Sequence, residues 1–411
     1  MLQTSLFCFL SLASAALAAR PFLNEPDTMI DESFEMFPIA NGGLPDLSRI
    51  LGLPDFDWAA RKSMNDSSYT RYRYGSGGEW SYRNNLEVFQ RYRFRPRVKV
   101  DVTDIESSME TTILGHKFSA PFFIIPCATA GLAHPDGEIG LLKAAAEQDI
   151  LYIPSFTASV PLEKIAAARP RGDQVLFQQI YISNNKTANS LLFRRVEKLG
   201  VKAMVLTVDS AGDRTWHRAL RFEENANQTR PASYIPMTWA IYKDLKKLTD
   251  LPIIPKGIQT VEDALSAVDA GAPAIFLSNH GGRALDGSPS AFEVALEIHK
   301  RAPQVFKKIE VYADGGVRYG TDVLKLLALG VRAVGFGRSF MYANIYVTEG
   351  VSRAAMILRR EITASAASLG FADLKKINSS FLELSPNGWY SEAIHCMEDM
   401  RRGGRALWGS L

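Results

Sequence analysis

The stretch Ser278-Asn279-His280-Gly281-Gly282-Arg283-Ala284-Leu285-Asp286 sets an imidazole and a guanidinium three residues apart with two glycines between them. A base that titrates near neutrality beside a permanent cation suits removal of a proton next to a bound carboxylate. The glycines let the backbone approach a flat ligand with no Cβ in the way. On its own the stretch also reads as a polar loop after a core strand. The apolar run before it, Ala274-Ile275-Phe276-Leu277, has the pattern of a buried parallel strand.

The same arrangement recurs along the chain. Apolar strand patterns occur at 122–126, 151–155, 175–181, 203–209, 252–257, 274–280, 310–316 and 333–338. Their C-terminal ends carry Gln179 and Tyr181, Thr207 and Asp209, Lys256, Ser278 and His280, Asp314, and Gly337 with Arg338. Helical patterns lie between them at 137–148, 161–168, 187–199, 261–270, 291–301 and 320–329, with a last long one at 346–369. Eight strands alternating with helices predict an α/β fold, a (β/α)8 TIM barrel, whose strand ends share one face. A lone polar residue at a strand end is commonly a cap; six consecutive strands ending this way point to a site. One connection is out of scale, about forty residues from Ser210 to Thr249, and reads as a lid over the barrel mouth.

The whole chain of 411 residues has ordinary globular composition, 46% hydrophobic and 22% charged, and a formal charge of only +3. Nothing in that balance argues for nucleic acid. The one basic cluster, Arg91 to Arg97, alternates Arg with aromatics and reads as an extended segment clamped on a core. Residues 1–19 read as a signal peptide, with an apolar run at Ser5–Leu10 and small residues at Ala16-Leu17-Ala18, too short and alanine-rich for a membrane anchor. Sequons at Asn65, Asn185, Asn227 and Asn378 are consistent with a secreted glycoprotein. A disulfide between Cys127 and Cys396 is not expected, because Cys127 follows a core strand. Residues 20–110 form an arm on this reading, 111–380 the barrel and 381–411 a tail.

In their order, Phe94-Arg95-Pro96-Arg97, Ala133-His134-Pro135-Asp136-Gly137-Glu138, Leu206-Thr207-Val208-Asp209, Lys256-Gly257, the His280 stretch and Asp314-Gly315-Gly316-Val317-Arg318 resemble the FMN-dependent α-hydroxy-acid oxidase/dehydrogenase family. The resemblance runs from about Tyr69 to Leu374. It implies that His280 is the base, taking a proton from the α-carbon or from the hydroxyl, and that Asp209 supports the protonated imidazole. Arg283 would grip the substrate carboxylate through its fork, and Tyr181 would bond the substrate oxygen. Lys256 would stand where negative charge collects on a reduced flavin. Asp314, Gly315, Gly316 and Arg318, with Gly337 and Arg338, would hold the FMN phosphate. Ala128, Ser155, Gln179, Thr207 and Ser278 would line the ring.

Four positions depart from the family pattern. Arg71 stands where a carboxylate-binding tyrosine is usual, so either Arg71 supplies a second cation or a shifted register lets Tyr72 serve. Phe156 replaces a common tryptophan and Pro154 a common serine. The lid is two residues shorter, with Arg214 matched to the lid arginine. The expectation is a secreted FMN enzyme that oxidises an (S)-2-hydroxy acid, with O2 as acceptor in the absence of a preceding haem domain, and a homotetramer as is common in the family. The rival readings are a dehydrogenase or tailoring oxidase for a larger hydroxy acid or alcohol, an FMN barrel of another reaction class, and a non-catalytic binding barrel.

Overall fold

A short antiparallel hairpin, β1 (Thr111–Ile113) and β2 (His116–Phe118), precedes the main sheet. Then come β3 (Phe122–Ile124), β4 (Phe177–Ile180), β5 (Ala203–Thr207), β6 (Ile253–Ile258), β7 (Ala274–Leu277), β8 (Glu310–Asp314) and β9 (Ala333–Phe336). These seven run parallel in the order β3-β9-β8-β7-β6-β5-β4. The gap between β3 and β4 is closed by Tyr152, which bridges Ile124 on one side and Leu176 on the other. The eighth strand, expected over 151–155, is thus reduced to a single bridge residue. Pro154 has no N–H to extend the ladder, and only its carbonyl is used, by Gln179 N at 3.1 Å.

This computed structural model describes residues 43–385 apart from 213, 215 and 223–233. The signal at 1–19, the arm before residue 43, Asn227, Cys396 and the tail from 386 lie outside the described residues. From Leu44 the described chain belongs to one compact unit. Among the described residues no helix is long and apolar enough to cross a membrane.

Alternation along the strands turns Phe123, Phe177, Val205, Ile254, Phe276 and Tyr312 into the barrel, where they pack with Leu151 and Ile153. Ile113 and Phe118 of the hairpin join the same cluster. Phe123 meets Phe276 and Tyr312 edge-on, at 5.5 and 5.9 Å between centroids. Outer helices start where local chemistry says they should. Ser290 and Glu293 make a capping box for Ala291–Arg301, and Thr260 caps Val261–Asp269. Asn65, Asn185 and Asn378, three of the sequon asparagines, are helix N-caps whose side-chain carbonyls accept backbone N–H groups.

The arm contributes helices Leu53–Ser63, Asp66–Arg73 and Trp80–Arg91. Beyond them the chain is extended, as the Arg-aromatic alternation suggested: Phe94 pairs with Leu382, and Arg97 N donates to the Leu369 carbonyl at 3.0 Å. The arm's last helix clamps the loop after β7. Asp286 accepts the N–H groups of Gly78 and Ser81, both at 2.9 Å. Asn85 and Asn279 exchange amide bonds at 2.8 and 2.9 Å. Gly282 has φ +75°, and a Cβ on it would lie 2.6 Å from Tyr82 Cα, so only glycine lets helix and loop touch.

Candidate active site

β7 ends at Leu277, and His280 follows in the left-handed region at φ +60°. A non-glycine residue held there is strained by about 1–3 kcal/mol and needs surrounding contacts to keep it. Here the contacts are its own N–H on the Ser278 hydroxyl at 3.0 Å and its Nδ1 against Asp209 at 2.8 Å. Asp209 comes from just beyond β5 and its side chain is fully buried. Burial pushes the Asp209 carboxyl up, but the facing His280, with Lys256 and Arg214, outweighs it and leaves it below the usual value. Burial draws the His280 imidazole below its ordinary value; Asp209 pulls it back up, while Arg214 and Lys256 side with burial. The pair at neutral pH is therefore a neutral imidazole on an ionised carboxylate. With Nδ1–H donated to Asp209, Nε2 carries the basic lone pair.

Beneath it lies a buried polar knot across three strand ends. Lys256 Nζ is 2.8 Å from Asp314 Oδ2 and donates to the Ser278 hydroxyl at 2.7 Å. Ser278 in turn donates to Asp314 at 2.6 Å. Lys256, Ser278 and Asp314 are 4%, 1% and 1% exposed.

Above the strand ends opens a cavity of about 780 Å³. Of the residues given a catalytic or binding role from sequence, all but three line it: the exceptions are Asp209, Ser278 and Phe156. Asp209 stands behind His280. Ser278 does not offer its hydroxyl to the cavity, because Lys256, Asp314 and the His280 N–H already occupy it. Phe156 does not wall the cavity either; the residue is 45% exposed and its ring lies edge-on to Tyr181 at 6.1 Å. Phe156 N donates to Gln179 Oε1 at 2.8 Å, and Gln179 Nε2 donates to Thr207 at 2.9 Å. Ala128, Ser155, Gln179 and Thr207 thus form one side of the cavity, and Gly315, Gly316, Arg318, Gly337 and Arg338 another.

Arg338 donates to the carbonyls of Tyr72, Tyr74 and Gly281 at 2.9, 3.1 and 3.0 Å, so its Nε and Nη2 bind the arm to the loop. Its remaining Nη1 lies 3.0 Å from where a Cβ of Gly281 would be. On Gly316, at φ +79°, an added Cβ would overlap the Asn85 carbonyl. We expect Gly316→Ala to destabilise the fold by about 2–4 kcal/mol, from overpacking and left-handed strain together. It should also weaken retention of FMN, read as flavin absorbance per chain after gel filtration. Full retention with an unchanged unfolding midpoint would show that the turn yields.

At the outer wall Tyr72 and Arg71, the two residues left open for the carboxylate role, both face the cavity. Tyr72 is buried and its hydroxyl donates to the Thr129 carbonyl at 2.7 Å; burial drives its phenol far up, so it stays a donor. Arg71 also lines the cavity, with its guanidinium 5.5 Å from the Trp216 ring. Arg283 lies 4.3 Å over Tyr74, and its Nη2 donates to the Arg71 carbonyl at 3.1 Å. Arg214 reaches the Tyr181 hydroxyl at 3.3 Å and the Ser210 hydroxyl.

Sequence reasoning passed over four participants. Tyr74 and Trp216 line the cavity, their rings 5.5 Å apart. Cys127 lines it too, its thiol pushed up to about 11 by burial and so protonated. Glu138 is fully buried and accepts the N–H groups of Ala130, Ser159 and Val160 at 3.1, 2.8 and 2.9 Å, which ties together the loops carrying Ala128 and Ser155. Its place in Ala133–Glu138 was the available signal.

The sequence profile described as FMN-dependent dehydrogenase matches residues 60–235 and 222–384. The chain belongs to that family. It is 36% identical to an L-lactate dehydrogenase (cytochrome) of Saccharomyces cerevisiae over 83% of this chain and 62% of that protein. It therefore spans less than two thirds of the cytochrome-linked relatives it matches. It is 34% identical to a peroxisomal (S)-2-hydroxyacid oxidase of Arabidopsis thaliana over 85% of this chain and all of that protein. Glycolate oxidase of Spinacia oleracea is 33% identical over 84% and 99% of the two chains. The recombinant flavin-binding domain of baker's yeast flavocytochrome b2 superposes with a TM-score of 0.79 at 34% identity, covering 88% of this chain and 92% of that one. The fold is accordingly that of a TIM-barrel flavoprotein, and FMN is the cofactor of the family.

The cavity fits that cofactor. A glycine turn that no Cβ could enter lies beside Arg318 and Arg338, a donor set for a phosphate dianion. The opposite side offers amide and hydroxyl groups with a buried lysine, suited to a polar ring edge.

Proposed function

We propose that this chain oxidises an (S)-2-hydroxy acid to the 2-oxo acid, with FMN as its redox group and O2 as final acceptor, releasing hydrogen peroxide. One observation carries the reading: His280, oriented by Asp209 at 2.8 Å, shares a cavity with Arg283, Tyr181 and Lys256. Arg318, Arg338 and the glycine turns would hold the FMN phosphate; Ala128, Ser155, Gln179, Thr207 and Lys256 would flank its ring. When bound, the cofactor supplies the two-electron acceptor. The protein's own work is proton removal and orientation. Arg283 takes the carboxylate, its guanidinium lying over Tyr74 and its buried Nε without a partner among the described residues. Tyr181, held by Arg214, bonds the substrate hydroxyl. His280 Nε2 receives the proton, and Asp209 stabilises the imidazolium that results.

For the acceptor, the relatives matched along 99–100% of their own length are oxidases, which supports O2. A second reading, transfer to a one-electron carrier, is favoured by the 36% identity to the cytochrome-linked enzyme. Secretion is a further proposal, resting on the apolar and small-residue pattern of 1–19.

The test is the visible spectrum of the FMN-loaded protein under anaerobic addition of glycolate, (S)-lactate and longer (S)-2-hydroxy acids. Bleaching is expected, with colour and peroxide returning on admission of air. No bleaching by any hydroxy acid would end the proposal. Bleaching without reoxidation by air, but with turnover on an artificial acceptor, would select the second reading.

A further inference from the structure

Arg338 lines the phosphate side of the cavity with neutral hydrogen-bond partners only. Its Nε and Nη2 donate to the carbonyls of Tyr72, Tyr74 and Gly281. Among the described residues no carboxylate pairs with it, and Nη1 makes no hydrogen bond. Burial draws the guanidinium below its ordinary value, and Arg283 and Arg318 pull the same way. A guanidinium nevertheless stays charged in a protein, so this buried cation needs compensation. A carboxylate would supply it, but would also cancel the charge that a phosphate has to find.

The compensation comes from a ring. Tyr82 is 2% exposed, in the first turn of the helix Trp80–Arg91, and the Arg338 Cζ lies over its face at 4.7 Å from the centroid. A second guanidinium, that of Arg73, lies over the same ring at 4.0 Å, but Arg73 also has Glu79 at 3.8 Å. An aromatic face attracts a cation without neutralising it, and most strongly where both are out of water. The ring's backbone is held closely. A Cβ on Gly75 would lie 2.9 Å from Tyr82 Cβ, and one on Gly282 would lie 2.5 Å from Tyr82 N. Tyr82 itself does not line the cavity, so any effect on a ligand passes through Arg338.

We propose that Tyr82 is a positioning residue for the cofactor phosphate: its ring holds Arg338 as a cation without a counter-charge, keeps Nη1 for the phosphate, and so makes the chain select FMN over riboflavin, the same flavin lacking the phosphate. The inference concerns the cofactor and is independent of the substrate.

The full chain loaded with FMN or with riboflavin tests it, flavin release on dilution being followed by the rise of free-flavin fluorescence. The unaltered chain should lose riboflavin at least ~10-fold faster than FMN, as expected for lost charge-assisted hydrogen bonds. Tyr82→Leu should speed FMN release by about 10-fold and riboflavin release by less than about 2-fold. Tyr82→Phe keeps the aromatic face and should stay within about 3-fold of the unaltered chain for both flavins. Should Tyr82→Leu not fold, Tyr82→Met takes its place with the same expectation. A chain that takes up no riboflavin shows the preference outright, and the contrast between Leu and Phe in FMN release then carries the test. Equal acceleration of both flavins by Tyr82→Leu would mean that the ring only packs helix on loop, and would overturn the inference. So would FMN release from Tyr82→Phe as fast as from Tyr82→Leu, or an unaltered chain that holds riboflavin as firmly as FMN. None of these outcomes touches the hydroxy-acid reading, which the bleaching experiment decides.

Discussion

Replacing His280 with Gln lowers the rate of anaerobic flavin bleaching by roughly 10²- to 10⁴-fold, the range typical of a lost general base. Gln keeps the size of the side chain and a polar end but has no lone pair that a proton can use at neutral pH. The same assignment fixes the pH profile. Burial holds the imidazole below its ordinary value of 6.5, so the bleaching rate should rise with pH and level off with its midpoint below 6.5. Asp209 acts in the opposite sense, favouring the protonated ring. Asp209→Asn should therefore move the midpoint to still lower pH while the plateau falls, because the imidazolium formed in the step loses its counter-charge. A plain structural role for Asp209 would lower the rate without moving the midpoint. An acid limb that persists in His280→Gln, or one that moves upward in Asp209→Asn, would remove His280 from the role.

The His280 stretch was legible because its signals are local. A buried strand pattern followed by Ser-Asn-His-Gly-Gly-Arg marks both the element and its chemical end, and seven of the eight expected strands are present. What escaped reading depends on residues far apart in the chain. The exchange between Asn85 and Asn279 joins positions 194 residues apart, and neither asparagine advertises the other. Tyr69 to Arg73 is an aromatic and basic run in the sequence. It becomes a helix through the Asn65 cap and the packing of Tyr69 and Tyr72 against Tyr342. The hairpin β1–β2 is three residues per strand, too short for any period to register. Ser278 takes its expected role from a strand end and from the resemblance, Phe156 from standing where the family commonly has tryptophan. Strand-end position says which face of the barrel a residue approaches; it does not say whether a neighbour has already taken its polar atom or whether the ring turns outward.

Lys256→Met should destabilise the fold by about 3–5 kcal/mol, since it strands a buried carboxylate. The lysine neutralises Asp314 at 2.8 Å, shares the Ser278 hydroxyl and lies 4.7 Å over Phe276, so it ties together the ends of β6, β7 and β8. Methionine fills the same volume with no charge. Adding Asp314→Asn removes the stranded charge from the other side, so the double variant should recover more than half of the loss; replacing both members of a buried pair is commonly near neutral. Chemical denaturation of the three proteins measures this. Function should not recover in parallel. The double variant still lacks the cation on the cavity wall, and its bound flavin should have a lower reduction potential than that of the unaltered chain. Stability and potential thus separate the two jobs of one side chain. A single variant that costs less than about 1 kcal/mol, or a double variant no more stable than the single, would mean that the Lys256–Asp314 pair is not what holds these strand ends together.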